Sequence, residues 1–181
     1  MTTQVDLTNR ALAQIGTRSQ ILSMTDGSQE ALYANLLYAG LRDFLLREGD
    51  YEFCTTVIVP VVVATAPPWL YSYAYPGDCV RIKQMVPVNY SRLDPTAVEF
   101  TVTEGSTGPG SKAVATNVAV QYMLYTHNTV LETAWDSMFT EAFVRMLGSA
   151  LAFALENRIE ASREKLQQAI EFAGMASLKD G

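Results

Sequence analysis

Histidine occurs once in this chain, at His127, and cysteine twice, at Cys54 and Cys79. The two cysteines lack zinc-site spacing, so a centre built on Cys and His is not expected. Nucleophilic catalysis has equally little to work with. A triad around His127 needs a nucleophile and an orienting carboxylate, and no G-x-S-x-G elbow is present. Basic charge is also scarce: 13 Lys and Arg stand against 19 Asp and Glu, for a net charge of −6. Arg81, Lys83, Arg92, Lys112, Arg145 and Arg158 are scattered singly, without the basic stripe of a nucleic-acid reader. The longest apolar runs, Val57–Ala66 and Leu147–Leu155, fall short of the ~20 residues that span a bilayer. The opening MTTQVDLTNR shows no basic region followed by an apolar run, so no signal peptide is expected. Both cysteines are therefore expected as buried thiols of a soluble protein made in a reducing cytoplasm.

What is present is apolar content, 49% of 181 residues, ample for a core. The length suits one domain, 1–181, with a lobe inserted in it. Thr3 and Asp6 form a capping-box pattern that opens a helix through Ile15, stopped by Gly16. Ile21, Leu22 and Met24 of the connector are expected to touch the core. Asp26 or Ser28 caps a second helix that runs to about Glu48, with Ala34, Leu37, Tyr38, Leu41, Phe44 and Leu45 as its apolar stripe. Near the other end, Thr133 and Asp136 read as a second capping box. They open a helix whose buried face is Trp135, Phe139, Ala142, Phe143, Met146, Ala150, Leu151 and Ala154. Gly148, Ser149, Ala150 and Ala152 are small enough for a neighbouring helix to come close. A fourth helix follows, with Leu166, Ala169, Ile170 and Ala173 as its stripe.

Between the helical pairs the period changes from 3.6 to 2. The segment TTVIVPVVVA is a strand interrupted by Pro60, hence an edge strand or two short ones. Tyr71, Tyr73 and Tyr75 alternate, which places their rings on one face of an extended chain, expected to pack on the helices or to form a subunit contact. Pro76-Gly77-Asp78 turns the chain. Val80, Ile82, Gln84 and Val86 then share a face. Val98, Phe100 and Val102 alternate before Gly105–Lys112, and Val114, Val118, Val120, Tyr122 and Leu124 alternate after it, as in a hairpin with a long tip. The fold class is therefore α+β. A four-helix bundle forms from the N- and C-terminal helix pairs, 1–52 with 130–181, and a small antiparallel β-sheet or barrel lobe is inserted at 53–129.

Candidate chemistry is thin. Gly105, Gly108, Gly110 and Lys112 resemble a phosphate loop, but Ser111 precedes Lys112 and the following residues have a strand period, whereas a phosphate loop opens a helix. The acidic pairs Asp43 with Glu48 and Glu160 with Glu164 are expected on solvated helix faces, not in a glycosidase site. No catalytic, cofactor or metal residue is expected. Protein–protein contacts are expected at the tip residues Gly105, Gly108, Gly110 and Lys112, at Tyr71, Tyr73 and Tyr75, and along the C-terminal segment from Arg163 onward, including Gln167.

Several segments, taken in order, resemble one family. They are DLTNRALAQIG, TDGSQEA, LRDFLLREGDYEFC, YAYPGDCVRIKQM and WDSMFTEAFVRMLGSALAFAL. Together they look like the head-to-tail adaptor, or connector, of short-tailed bacteriophages, the tail tubular protein A family. The resemblance covers nearly the whole chain and implies a helical bundle with a β lobe. It implies a non-enzymatic virion protein in the neck and tail, assembled in the host cytoplasm. The implied partners are further copies of itself in a ring, usually a dodecamer, together with the portal protein and the tail nozzle protein. Double-stranded DNA would pass through without specific binding, no membrane would be involved, and no cofactor is implied. Acidic charge suits a conduit along which DNA slides. Two other readings come from different classes: a head completion or tail terminator ring of another phage type, and a virion-associated cell-wall hydrolase.

Overall fold

The computed structural model describes residues 2–65, 67–88, 98–105, 110–156, 163, 166–172 and 174. The fold is mixed α+β, with helices at both ends of the chain and two small antiparallel sheets between them. Two compact units divide it: Met1–Cys54 with Asn128–Gly181, and Thr55–His127.

In the helical unit, α1 (Gln4–Gln14) starts at the capping box. The Thr3 hydroxyl accepts from the Asp6 amide at 3.1 Å, and the Asp6 carboxylate accepts from the Thr3 amide at 3.1 Å. Gly16 leaves the helix at φ 81°, a left-handed conformation that needs no Cβ. The Asn9 side chain then holds Ile21 by both backbone groups, at 2.9 and 3.0 Å, which buries Ile21. Leu22 next to it points into water, contrary to expectation.

Helix α2 (Gln29–Glu48) is capped by Ser28, whose hydroxyl accepts from the Ala31 amide at 3.2 Å. Asp26 supports the cap by accepting from the Ser28 amide and hydroxyl and from the Leu22 amide. These hydrogen bonds, the Ser28 hydroxyl first, hold its carboxyl below the usual carboxylate range. The buried residues of α2 are Ala31, Ala34, Tyr38, Leu45 and Leu46. Phe44 belongs to the opposite side: one step of 100° per residue separates it from Leu45 and turns its ring to solvent.

Helix α3 (Ser137–Glu156) is the central element, packed by both α1 and α2. Its cap is Asp136, which accepts from the amides of Met138 and Phe139 at 2.7 and 3.4 Å. Thr133 instead sits in a 3-10 turn, Glu132–Ala134, so the Thr133–Asp136 capping box does not form. Phe139, Ala142, Phe143, Val144, Leu147, Leu151 and Ala152 are fully buried, because two helices claim different sides of α3. Ala150 and Ala154, expected on the buried face, are only half-buried. By length and composition Ser137–Leu155 could cross a bilayer. In this fold that apolar surface covers α1 and α2. At Gly148 a Cβ would stand 3.3 Å from the Ala11 carbonyl oxygen, so α1 lies close to α3 there.

Residues 163, 166–172 and 174 are also helical. Ala169 is buried, but Leu166 and Ile170 are exposed, so the expected stripe is covered only in part. Ala173 lies outside the described residues, as do Glu160 and Glu164. The four-helix bundle expected from the helix pairs is therefore seen only as α1 and α2 on α3, with the 166–172 helix meeting α3 through Arg145.

In the β unit the strands are β1 (Thr55–Ile58), β2 (Tyr71–Ala74), β3 (Cys79–Pro87), β4 (Phe100–Glu104), β5 (Lys112–Thr116) and β6 (Val120–His127). One sheet has the order β1-β6-β3 and the other β2-β5-β4. Pro60 separates two edge segments. Before it, β1 pairs with β6. After it, the Val63 amide donates to the Ser72 carbonyl at 2.9 Å and the Ala74 amide to the Val61 carbonyl at 2.8 Å, at the edge of the second sheet. A residue without an N–H is tolerated where the chain changes sheets.

The sheets share one core of Tyr73, Ile82, Met85, Val98, Val114, Val120, Met123 and Tyr125. Two expected faces shift because of irregular pairing. The register of β3 with β6 slips between Ile82 and Gln84, so Met85, not Gln84 or Val86, turns inward. Another slip opposite Val86 and Pro87 buries Val120, Met123 and Tyr125 while leaving Tyr122 exposed. The segment expected as one strand after Gly105–Lys112 is in fact two, β5 and β6, in different sheets.

Candidate interaction surface

The expected contact residues separate once placed. Tyr73 is not a surface group: its ring is in the β core and its hydroxyl accepts from the Val120 amide at 2.8 Å. It packs in the core of the β unit, and Tyr75 is packed against the same core. Tyr71 is partly exposed at the start of β2. Tyr75 lies beyond the end of β2, with the Lys112 ammonium 5.4 Å from its ring centre. The turn after it is closed by the Cys79 amide donating to the Pro76 carbonyl at 3.1 Å.

The base of the Gly105–Lys112 tip is closed by hydrogen bonds. The Gly105 amide donates to the Ser111 carbonyl at 2.8 Å, and the Ser111 hydroxyl donates to the Gly105 carbonyl at 2.9 Å. Gly110 turns at φ 80°, and Lys112 begins β5 opposite Glu104. A strand, not a helix N-terminus, follows, so the geometry of a phosphate loop is not there. Gly108 lies outside the described residues. Arg163 and Gln167 are exposed, and Gln167 donates to Glu171 at 3.2 Å.

Among the described residues, chemistry-bearing groups do not converge. Cys54 is buried and Cys79 half-buried, neither in a disulfide, so the expectation of two buried thiols holds for Cys54 only. His127 ends β6 opposite Cys79. Asp43 pairs with Arg42 at 2.8 Å and accepts from Asn128 at 3.1 Å. Among the described residues no group of three or more His, Cys, Asp and Glu could hold a metal ion. A groove of about 820 Å³ in the β unit is lined by Trp69, Pro87, Val98, Glu99, Phe100, Thr116, Asn117 and Val118, with Glu99 as the titratable side chain among the described residues.

Tyr38 and Tyr125 carry raised pKa values. Burial, then the charge of and hydrogen bond to Glu132, push the Tyr38 hydroxyl up. Burial, then the 3.0 Å bond to Asp78, push Tyr125 up to about 12. An unfolded tyrosine ionises near pH ~10. The folded state therefore keeps the Tyr125 proton longer. Its stabilising contribution is complete below pH ~10 and is lost as pH rises from there through about 12. Urea unfolding midpoints measured across that window should fall in the parent protein and fall less steeply in Tyr125→Phe.

Periodicity placed Phe44, Leu166 and Ile170 in buried stripes and passed over Leu32 and Leu36, yet all five are exposed on the helical unit. Leu32, Leu36 and Phe44 project from the solvent side of α2, while Leu166 and Ile170 project from the 166–172 helix. Each is between 43% and 74% exposed. Isolated exposed leucines are ordinary, but large apolar residues repeated along one helix face mark a contact surface. The signal was available as the i, i+4 spacing of Leu32 and Leu36, but it competed with the stripe through Ala34 and Tyr38.

No protein-family model matches the chain, and no curated protein matches it at a significant level.

Proposed function

We propose that this chain is a structural subunit of a head-to-tail adaptor ring that joins a phage portal to its tail nozzle and lines the DNA exit channel. The observation that carries the reading is the apolar solvent face of α2, on a helical unit whose core is already filled by α3. Such a face has its use in assembly, where burial of each large apolar side chain contributes about 1.5–3 kcal/mol. The order helix–sheet–helix agrees with the family that the sequence resembles. A net charge of −6 is compatible with DNA passing without sticking. The ring would be a dodecamer, and the chain would turn over no substrate.

Sedimentation with purified portal rings tests this. The chain should travel with the portal at one copy per portal subunit, and it should leave a cell-wall suspension at constant turbidity. A chain that stays at the top of the gradient, or one that clears the suspension, contradicts the proposal.

A further inference from the structure

Asp26 is followed by glycine, and among the described residues no other aspartate has that neighbour. In an Asp-Gly pair the glycine nitrogen can attack the aspartate side-chain carbon, because no Cβ shields it. The nitrogen bonds to Cγ, one carboxyl oxygen departs as water with the amide proton and the acid proton, and a five-membered succinimide closes. Water then opens the ring. Addition at Cγ restores aspartate. Addition at the former main-chain carbonyl leaves the chain running through Cγ, as isoaspartate of unchanged mass. We infer that Asp26–Gly27 is a spontaneous modification site of this kind, held closed in the folded chain by the cap of α2.

Nothing about Gly27 itself prevents the reaction. It is exposed, and a Cβ added there would meet nothing within 4 Å. The Asp26 carboxyl is the restrained partner. One oxygen accepts from the Ser28 amide at 3.0 Å and from the Ser28 hydroxyl, and the other accepts from the Leu22 amide at 3.1 Å. The Asp26 amide donates to the Ser23 carbonyl at 3.3 Å, which ties the main chain on that side. A carboxyl oxygen leaves as water only once the group is protonated, and donors on both oxygens favour the charged form. The Ser28 hydroxyl has two tasks: it donates to Asp26 and accepts from the Ala31 amide at 3.2 Å. Opening of the cap therefore frees the carboxyl, and isomerisation follows the local opening of this segment. The product also acts on the fold. Isoaspartate lengthens the main chain by one methylene and displaces the carboxylate from Leu22 and Ser28, so the support of the α2 cap is lost.

Ageing the full chain beside the end-blocked peptide Met24–Gln29 at mildly acidic pH tests this, with isoaspartate at Asp26 read by mass spectrometry and by isoaspartyl methyltransferase labelling. The peptide should convert readily. The folded chain should convert more than about tenfold more slowly, the factor that one hydrogen bond to a charged group supplies. The parent unfolded in urea should keep pace with the peptide. Ser28→Ala, checked as folded by circular dichroism, should convert at a rate between the two. Ser28→Thr keeps the hydroxyl and should return to the parental rate. The inference is overturned if the folded parent converts as fast as the peptide, if folded Ser28→Ala converts no faster than the parent, or if Ser28→Thr converts as fast as Ser28→Ala.

Discussion

Replacing Phe143 with alanine should destabilise the helical unit by about 3–5 kcal/mol, the range for deleting a fully buried aromatic ring. Phe143 is fully buried on α3. Its ring meets Tyr38 edge-on at 4.7 Å and Trp135 at 5.1 Å. Trp135 in turn meets Phe139 at 4.9 Å, and Phe139 meets Tyr51 at 5.0 Å and Phe53 at 5.2 Å. The connected rings interlock α2, α3 and the chain between α2 and β1, so their neighbours cannot collapse freely into the space that Phe143 leaves. For a chain of this size each kcal/mol shifts the melting temperature by about 2–4 °C, so the loss is readily measured by calorimetry. Phe153→Ala is the matched control. It lies on the same helix with its ring exposed, and its loss should stay within about 0.5 kcal/mol. Equal effects from the two variants would show that the ring cluster is not what holds α3.

Tyr73 should show a graded response in the β unit. Tyr73→Phe keeps the ring but leaves the buried Val120 amide without its 2.8 Å acceptor, which should cost about 1–3 kcal/mol. Tyr73→Ala also removes the ring that packs with Val114 and Met123 between the sheets, and should cost about 3–5 kcal/mol. Hydrogen exchange at the Val120 amide reads the difference directly. It should quicken in both variants and most in the alanine variant. A Tyr73→Phe protein with parental stability and parental protection at Val120 would mean that the hydroxyl contributes nothing to the core.

Features set by neighbouring residues were legible in the sequence. The Thr3–Asp6 capping box, the Ser28 cap and the strand break at Pro60 depend on groups within a few positions, and each is found in the fold. Features set by distant partners were not. Thr133 and Asp136 have capping-box spacing, yet the chain forms a 3-10 turn first and Asp136 caps alone. The slips in β3 and β6 exchange inward and outward residues by one position, which strict alternation cannot reveal. Which side of α2 is covered depends on where α3 lies, so Phe44 read as core and is exposed. The same ambiguity hid the apolar face through Leu32 and Leu36. Of the residues singled out as contacts, Tyr73 turned out to be structural, while Lys112, Arg163 and Gln167 remain on the surface.

Electron-microscope images of portal rings incubated with this protein put the adaptor proposal to its most direct test. The account expects a continuous collar on one end of each portal, with twelve equivalent copies around the axis. Portals that remain bare, or that carry isolated copies without a closed ring, would contradict it.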